Sequence, residues 1–181
     1  MTRRLWFVAE AVAVTLVAAL LALLIWRVVR GNGESVSNAL AKGKHPQAPA
    51  FDLARLDGKG RIDLAALRGR KPIVLDFWAS WCVTCIHEAH RLQSAQATYG
   101  DKIAFIGVDA KDYGPDARAW ERKHGITFPS VHDTSGSVLD RWVGQTLFPS
   151  IFFVDRRGTV VGQLEVEEDL PRFLRQIASS S

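Results

Sequence analysis

Two cysteines, Cys82 and Cys85, are the only thiols among 181 residues, and they stand C-x-x-C within Trp81-Cys82-Val83-Thr84-Cys85. The flanking pattern predicts a short apolar strand, Ile73–Trp78, that gives way to an amphipathic helix running from Cys82 to about Tyr99. A thiol at a helix amino terminus faces unpaired backbone N–H groups and the positive end of the helix dipole, and both favour thiolate over thiol. Its pKa then falls from about 8.5 into the range where it attacks at neutral pH. Cys82 is thus the candidate nucleophile. Cys85, nearly one turn on, is placed to attack Cys82 and resolve a mixed disulfide. Two blander readings stand beside this one. A crosslink across so short a loop removes little entropy from the unfolded chain, so a purely structural disulfide has small benefit. Zinc usually needs four ligands, and beyond His87 and His90 on the same helix there is no second C-x-x-C or Cys-His pair.

The elements that must position these thiols alternate along the chain. Phe51-Asp52-Leu53 and Arg61-Ile62-Asp63-Leu64 flank the turn-forming Asp57-Gly58-Lys59-Gly60, which predicts a hairpin. Buried strands are expected at Ile73–Trp78, Ile103–Val108 and Ser150–Asp155, with a further strand at Thr159–Val161 after the turn Arg156-Arg157-Gly158. Helices are expected near Cys82–Tyr99, Asp116–His124 and Leu170–Ile177. Strands alternating with helices of this length argue for an α/β layer fold with at least one crossover, and the late hairpin makes the sheet mixed.

Composition bounds the partners. The formal charge of +4 first suggests a basic surface, but Arg3, Arg4, Arg27 and Arg30 stand against only Glu10 in residues 1–30. Residues 31–181 hold 19 basic and 18 acidic side chains. A phosphate-binding stripe therefore loses its support, and no nucleic-acid partner is expected.

From Leu5 to Trp26 the chain runs 22 residues with one charge, Glu10. As a helix that run spans roughly 33 Å, enough for a bilayer core of about 30 Å. Trp6 and Trp26 sit near its ends, and Arg3, Arg4 and the terminal amine favour a cytoplasmic amino terminus. A cleaved signal peptide is the rival, but its apolar region is shorter and ends at a small-x-small site; here the run closes in Leu23-Leu24-Ile25-Trp26-Arg27. Residues 1–30 are read as a membrane anchor that delivers the rest of the chain outside the cytoplasm. Residues 31–49, rich in Gly, Pro, Ser and charge, read as a flexible linker. Residues 50–178, about 129 in all, are long enough to bury a core of their own.

The segment Val74-Leu75-Asp76-Phe77-Trp78-Ala79-Ser80-Trp81-Cys82-Val83-Thr84-Cys85 resembles the active-site strand and turn of the thioredoxin superfamily, and Phe148-Pro149-Ser150 resembles its cis-proline loop. With the anchor, the lead-in Ala48-Pro49-Ala50-Phe51-Asp52-Leu53 and the stretch Leu64-Ala65-Ala66-Leu67-Arg68-Gly69, the likeness narrows to TlpA/ResA/CcmG-like tethered thiol–disulfide oxidoreductases and covers roughly residues 46–178. The resemblance implies a thioredoxin-like α/β fold: a central mixed sheet flanked by helices, with an amino-terminal β-hairpin extension, preceded by one transmembrane helix. It implies Cys82 as the exposed nucleophile, Cys85 as the buried resolving thiol, and a cis Phe148–Pro149 bond facing the pair to align an incoming substrate strand. Asp76 matches the buried acid that relays the Cys85 proton, against the alternative of an acid paired with a lysine. Glu88 matches an acid common in the tethered subfamily, against plain solvation on a helix surface. Trp81 and Phe148 are the candidate substrate-binding side chains, and Trp78 is either part of that landing surface or core.

The resemblance also implies partners. These are protein thiols and disulfides, with apocytochrome c as the family-level expectation, and a membrane electron donor. The chain is expected to be a monomer on the extracytoplasmic, periplasmic side of the membrane, with no cofactor besides the cysteine pair. Some residues depart from the family. The dipeptide Val83-Thr84 replaces Gly-Pro or Pro-His and leaves reductase against oxidase or isomerase open. His90 stands where many relatives have proline, and Leu147 where many have glycine. A peroxidase of the shared fold would carry threonine at the position of Ala79. A copper chaperone would need a distal ligand such as His132, and its cysteines would usually be spaced C-x-x-x-C.

Overall fold

The computed structural model describes residues 2–31, 33–165 and 169–179. It divides into two compact units, Met1–Gly33 and Glu34–Ser181. The first is the helix α1 (Thr2–Gly31), which contains the expected Leu5–Trp26 run, and its described side chains between residues 12 and 26 are exposed. Among the described residues, however, no helix is long and apolar enough to cross a membrane. The side chains of Arg3, Arg4, Trp6, Glu10, Arg27 and Arg30, which the anchor reading invokes, lie outside the described residues.

The second unit begins well before residue 50. A short helix, α2 (Val36–Ala41), opens it, with the Ser35 hydroxyl accepting the Asn38 N–H as a cap. Val36 and Ala39 are buried, and Ser35 and Ala48 with them. Gln47 makes an isolated bridge with Thr159, and Val160 N–H donates to the Pro46 carbonyl. The linker expected over residues 31–49 is therefore corrected. From Glu34 onward the segment is packed, because a few small apolar side chains suffice to seat so short a helix, and a count of Gly, Ser and charge overlooks them.

The hairpin forms as expected, β1 (Asp52–Ala54) antiparallel to β2 (Arg61–Asp63), followed by a 3-10 turn at Ala65–Leu67. The main sheet comprises β3 (Ile73–Trp78), β4 (Ala104–Ala110), β5 (Ser130–Asp133), β6 (Ser150–Val154) and β7 (Val160–Gln163), in the order β5-β4-β3-β6-β7. β3, β4 and β5 are parallel, β6 runs antiparallel to β3, and β7 antiparallel to β6, so the sheet is mixed. The helices are α3 (Cys85–Tyr99), α4 (Gly114–His124), α5 (Ser137–Trp142) and α6 (Leu170–Ser179). β5 and α5 were not expected. Each is short and carries polar residues, which leaves little periodicity to read.

The centre of the sheet is β3, buried at all six positions. Side chains alternate across a strand. Ile73, Leu75 and Phe77 join the cluster formed with Val36, Leu139 and Trp142. Val74 instead joins Leu92 of α3 and Leu174 and Ile177 of α6. By the same alternation Asp76 and Trp78 project toward α3. Gly107 of β4 lets Trp78 lie flat, since a Cβ there would stand 2.8 Å from the indole Nε1 and 2.2 Å from Ser130 Oγ.

The packing of α2 makes a direct prediction. Val36→Ala in the full chain is expected to cost about 1–2 kcal/mol in urea unfolding, as removal of buried methyl groups does. A side chain on a solvated tether would change stability by less than about 0.5 kcal/mol.

Candidate functional site

Cys82 and Cys85 form a disulfide, with S–S 2.02 Å and Cα–Cα 5.4 Å. They lie where β3 ends and α3 begins. The helix opens at Cys85, not Cys82, so Cys82 sits in the turn ahead of it, and its N–H donates to the Ala79 carbonyl at 3.0 Å. The Cys85 N–H points back at Cys82 Sγ, 3.2 Å away. Thr84 Oγ1 is 3.4 Å from the same sulfur. Of the environment expected for a nucleophilic thiolate, one helix N–H directed at sulfur is present at Cys82, while the next, that of Ile86, donates to the Val83 carbonyl. The expected exposure is not. In the disulfide state Cys82 is 6% exposed and Cys85 1%, because Trp78, Ala79, Ala89, Trp120 and Phe148 pack around the pair.

Two buried carboxyls stand on the elements that flank the cysteines, β3 and α3. Asp76 projects from β3 toward α3 and is buried, and its Oδ1 has no hydrogen-bond partner. Burial pushes its pKa up to about 7, with the charge of Glu88 adding to the rise. Glu88, three residues after Cys85 on α3, is itself buried. The sequence pattern leaves Glu88 between a functional position and a solvated helix surface, and the fold turns it inward, on the helix face that carries Cys85, Ala89 and Leu92. Asp76 makes no salt bridge with a lysine among the described residues, so the structural alternative for this acid does not hold there.

The aromatic residues divide. Trp78 is core, stacked on Trp120 of α4 with ring centroids 4.5 Å apart, and so is no part of a landing surface. Trp81 is exposed, with its ring centroid 5.3 Å from that of Phe148, edge to face. The Phe148–Pro149 bond is cis, as the resemblance implies. Phe148 is partly buried against the cluster that holds both cysteines. Two surface cavities, about 440 Å³ between α3 and α6 and about 540 Å³ beside the hairpin, have neither cysteine in their lining.

Residues that the sequence pattern left unnoticed hold the active-site turn in place. Asp112, just after β4, accepts the Ser80 N–H at Oδ2 and the Ser80 hydroxyl at Oδ1, the latter at 3.0 Å. The Trp81 indole N–H donates to the Lys111 carbonyl at 3.4 Å. Behind them Asp109 is fully buried and its Oδ2 contacts His132 Nδ1. Burial and the nearby Asp112 raise the Asp109 pKa to about 8. His132, considered as a distal copper ligand, is thus engaged with a carboxyl, and among the described residues no group of three or more His, Cys, Asp or Glu is arranged to hold a metal. The signal was present in Val108-Asp109-Ala110-Lys111-Asp112, where an acid interrupts an apolar strand and a second acid follows at its end.

The burial of Asp76 has a pH signature. In the unfolded chain its carboxyl ionises near the ordinary 3.8, and in the fold only near 7. Between those values the folded state keeps a proton that the unfolded chain has lost, so stability falls as pH rises from about 4 to 7 and stays low above. At about 1.36 kcal/mol per unit, the penalty reaches roughly 4 kcal/mol. Asp76→Asn is expected to be more stable than the parent at pH 8.5 by up to that amount, in urea unfolding of the oxidised protein. The gain should shrink toward zero near pH 4, and a pH-independent difference would contradict a buried ionisable Asp76.

A disulfide at a strand-to-helix junction with one helix N–H on Cys82 Sγ, buried acids on β3 and α3, and a cis-proline after Phe148, which packs against the cysteine cluster, is in keeping with what comparison with known proteins finds. The AhpC/TSA family matches residues 45–163. The thiol-disulfide oxidoreductase ResA of Bacillus subtilis is 30% identical over 135 residues, covering 71% of this chain and 74% of ResA. The thiol:disulfide interchange protein DsbE of Yersinia pestis is 35% identical over 114 residues, covering 62% of this chain and 58% of DsbE. Among solved structures, MTB dsbF in its mixed oxidized and reduced forms superposes with a TM-score of 0.63 at 32% identity, covering 70% of this chain and 94% of dsbF. The chain therefore belongs to the AhpC/TSA family, as a thioredoxin-like thiol–disulfide oxidoreductase of the DsbE/ResA type.

Proposed function

We propose that the protein is a membrane-tethered, extracytoplasmic reductase of protein disulfides. The Cys82 thiolate attacks one sulfur of a substrate disulfide, forming a mixed disulfide and releasing the other substrate sulfur, which takes up a proton. Cys85 then passes its proton to Asp76, attacks Cys82 and expels the second substrate sulfur, which is protonated in turn. Two electrons and two protons reach the substrate, and the protein is left as the Cys82–Cys85 disulfide. Pro149 and Phe148 align the substrate segment against Trp81, and Glu88 acts with Asp76 beneath the pair.

The observation that carries this reading is the contrast between the two sulfurs. Cys82 Sγ receives an N–H and lies beside a hydroxyl. Cys85 opens the helix turn that carries buried Glu88, on the side of the sheet toward which Asp76 projects. Donors favour a thiolate, and buried carboxyls disfavour one. Strong oxidants of this chemistry owe their potential to a stabilised reduced form. Acids behind the resolving thiol oppose that stabilisation and make the dithiol the better electron donor. An Asp76 pKa near 7 suits a group that must take and return a proton at neutral pH.

The 22-residue apolar run of residues 5–26, with its arginine and tryptophan flanks, supports tethering. An oxidising compartment lacks the cytosolic reductants, so the pair must be recharged by a membrane electron donor. Of the Val83-Thr84 dipeptide between the cysteines, Thr84 agrees with the Pro-Thr dipeptide of the cytochrome c maturation branch that the sequence resembles, which supports the cysteines of apocytochrome c as the substrate.

Two measurements test the reading. Cys85→Ser is expected to trap extracytoplasmic proteins as mixed disulfides on Cys82, and the parent midpoint potential is expected nearer about −270 mV than about −120 mV. A value at the oxidising end would make the protein an oxidase. For Asp76→Asn, the kcat for peptide disulfide reduction is expected to fall about 10²-fold and to lose its pH dependence near 7, while single-turnover mixed-disulfide formation at Cys82 stays within about threefold.

A further inference from the structure

Among the described residues of the second unit, the large apolar side chains left exposed are Trp81 at 55%, Val83 at 79%, Tyr113 at 67% and Leu147 at 49%. They come from three separate stretches of chain, and hydrogen bonds of one dipeptide connect all three. Asp112 holds Ser80, next to Trp81, through both carboxylate oxygens. It also accepts the N–H of Tyr113 at 2.7 Å. The Lys111 carbonyl accepts the Trp81 indole N–H, and Lys111 Nζ reaches Thr146 Oγ1 at 3.0 Å and Asp140 Oδ1 at 3.1 Å. Thr146 is one residue from Leu147 and three from the cis Pro149. Lys111 is also the non-glycine residue held at positive φ, 54°, among the described residues. That conformation persists in a non-glycine residue only where surrounding contacts impose it. Its stem lies across Gly136, where a Cβ would come within 2.2 Å of Lys111 Cε, so the absence of a side chain at residue 136 leaves room for this reach.

We propose that Lys111 and Asp112 form a bracket holding the active-site turn, Tyr113 and the cis-proline loop as one apolar rim, and that this rim selects protein disulfides flanked by apolar, uncharged residues. The inference rests on the reading of the protein as a reductase of protein disulfides. The exposed pair Lys111–Asp140 adds little stability by itself; the geometric contact is the hydrogen bond from Lys111 Nζ to Thr146 Oγ1, which keeps the segment that carries Leu147 and Phe148 in register with Trp81. A charged side chain pressed onto the rim would lose hydration and find no partner among these apolar groups. An apolar side chain there gains by leaving water.

The test uses the full chain in its reduced state, a small disulfide (hydroxyethyl disulfide), and three cystine peptides that differ only in the residues beside the disulfide: leucine, aspartate or lysine. The parent is expected to prefer the leucine peptide over both charged ones by about tenfold or more in kcat/KM, mainly through KM, the discrimination that one or two apolar contacts supply. Asp112→Asn and Thr146→Val are expected to reduce that preference to about threefold or less. Equal rates on all three peptides, or a lysine peptide as good as leucine, would overturn the rim while activity on the small disulfide left the reductase reading standing. Failure on the small disulfide as well would overturn the reductase reading instead. Full preference retained in folded Asp112→Asn and Thr146→Val would overturn the bracket. Thr146 is at the surface, so Thr146→Val carries the test if Asp112→Asn does not fold.

Discussion

The hydrogen bond from the Cys85 N–H to Cys82 Sγ organises the site. It exists because a buried strand ends and a helix begins within seven residues, so the first N–H of α3 is aimed at the sulfur ahead of it. Everything else about the chemistry follows from how firmly that junction is held. β3 anchors one side, buried at every position between β4 and β6. Leu92 anchors the other, in the cluster that α3 shares with α6.

A strand buried on both faces normally carries only apolar side chains. β3 makes one exception, Asp76, on the face that α3 covers. An isolated carboxyl in that position destabilises the fold whenever it is ionised, and Glu88 opposite it raises the penalty. In the reduction mechanism proposed above that penalty has a use, since Asp76 is the group assigned to take the Cys85 proton. Asp109 repeats the pattern at the neighbouring strand, but it meets His132 and Asp112, and its consequence is positional: Asp112 holds Ser80 and thereby the turn that carries Trp81 and Cys82.

The pair of cysteines, the strand before them, the helix after them and the cis-proline could all be read from local pattern. These depend on residues close in sequence or on a strong periodic signal: six apolar-rich residues at Ile73–Trp78, the C-x-x-C spacing, and Phe148-Pro149 ahead of an apolar strand. The short elements escaped. α2 is six residues long and amounts to two buried side chains and a cap. β5, at four residues, and α5, at six, are no longer, and their place is decided by pairing with β4 and packing on the core rather than by propensity.

Residue types and spacing alone determined that the chain carries one dithiol at a strand-to-helix junction in an α/β domain, because helix dipoles, side-chain alternation and turn chemistry act over a few residues. Tertiary structure alone decided which groups surround that dithiol. It buried Cys82 in the disulfide state, turned Glu88 inward, put Trp78 into the core and left Trp81 outside, packed residues 34–49 onto the domain, and brought Lys111 and Asp112 against Ser80 and Trp81 from about 30 residues away in sequence. Burial and long-range hydrogen bonding depend on which elements become neighbours in the sheet, and no local pattern encodes that order.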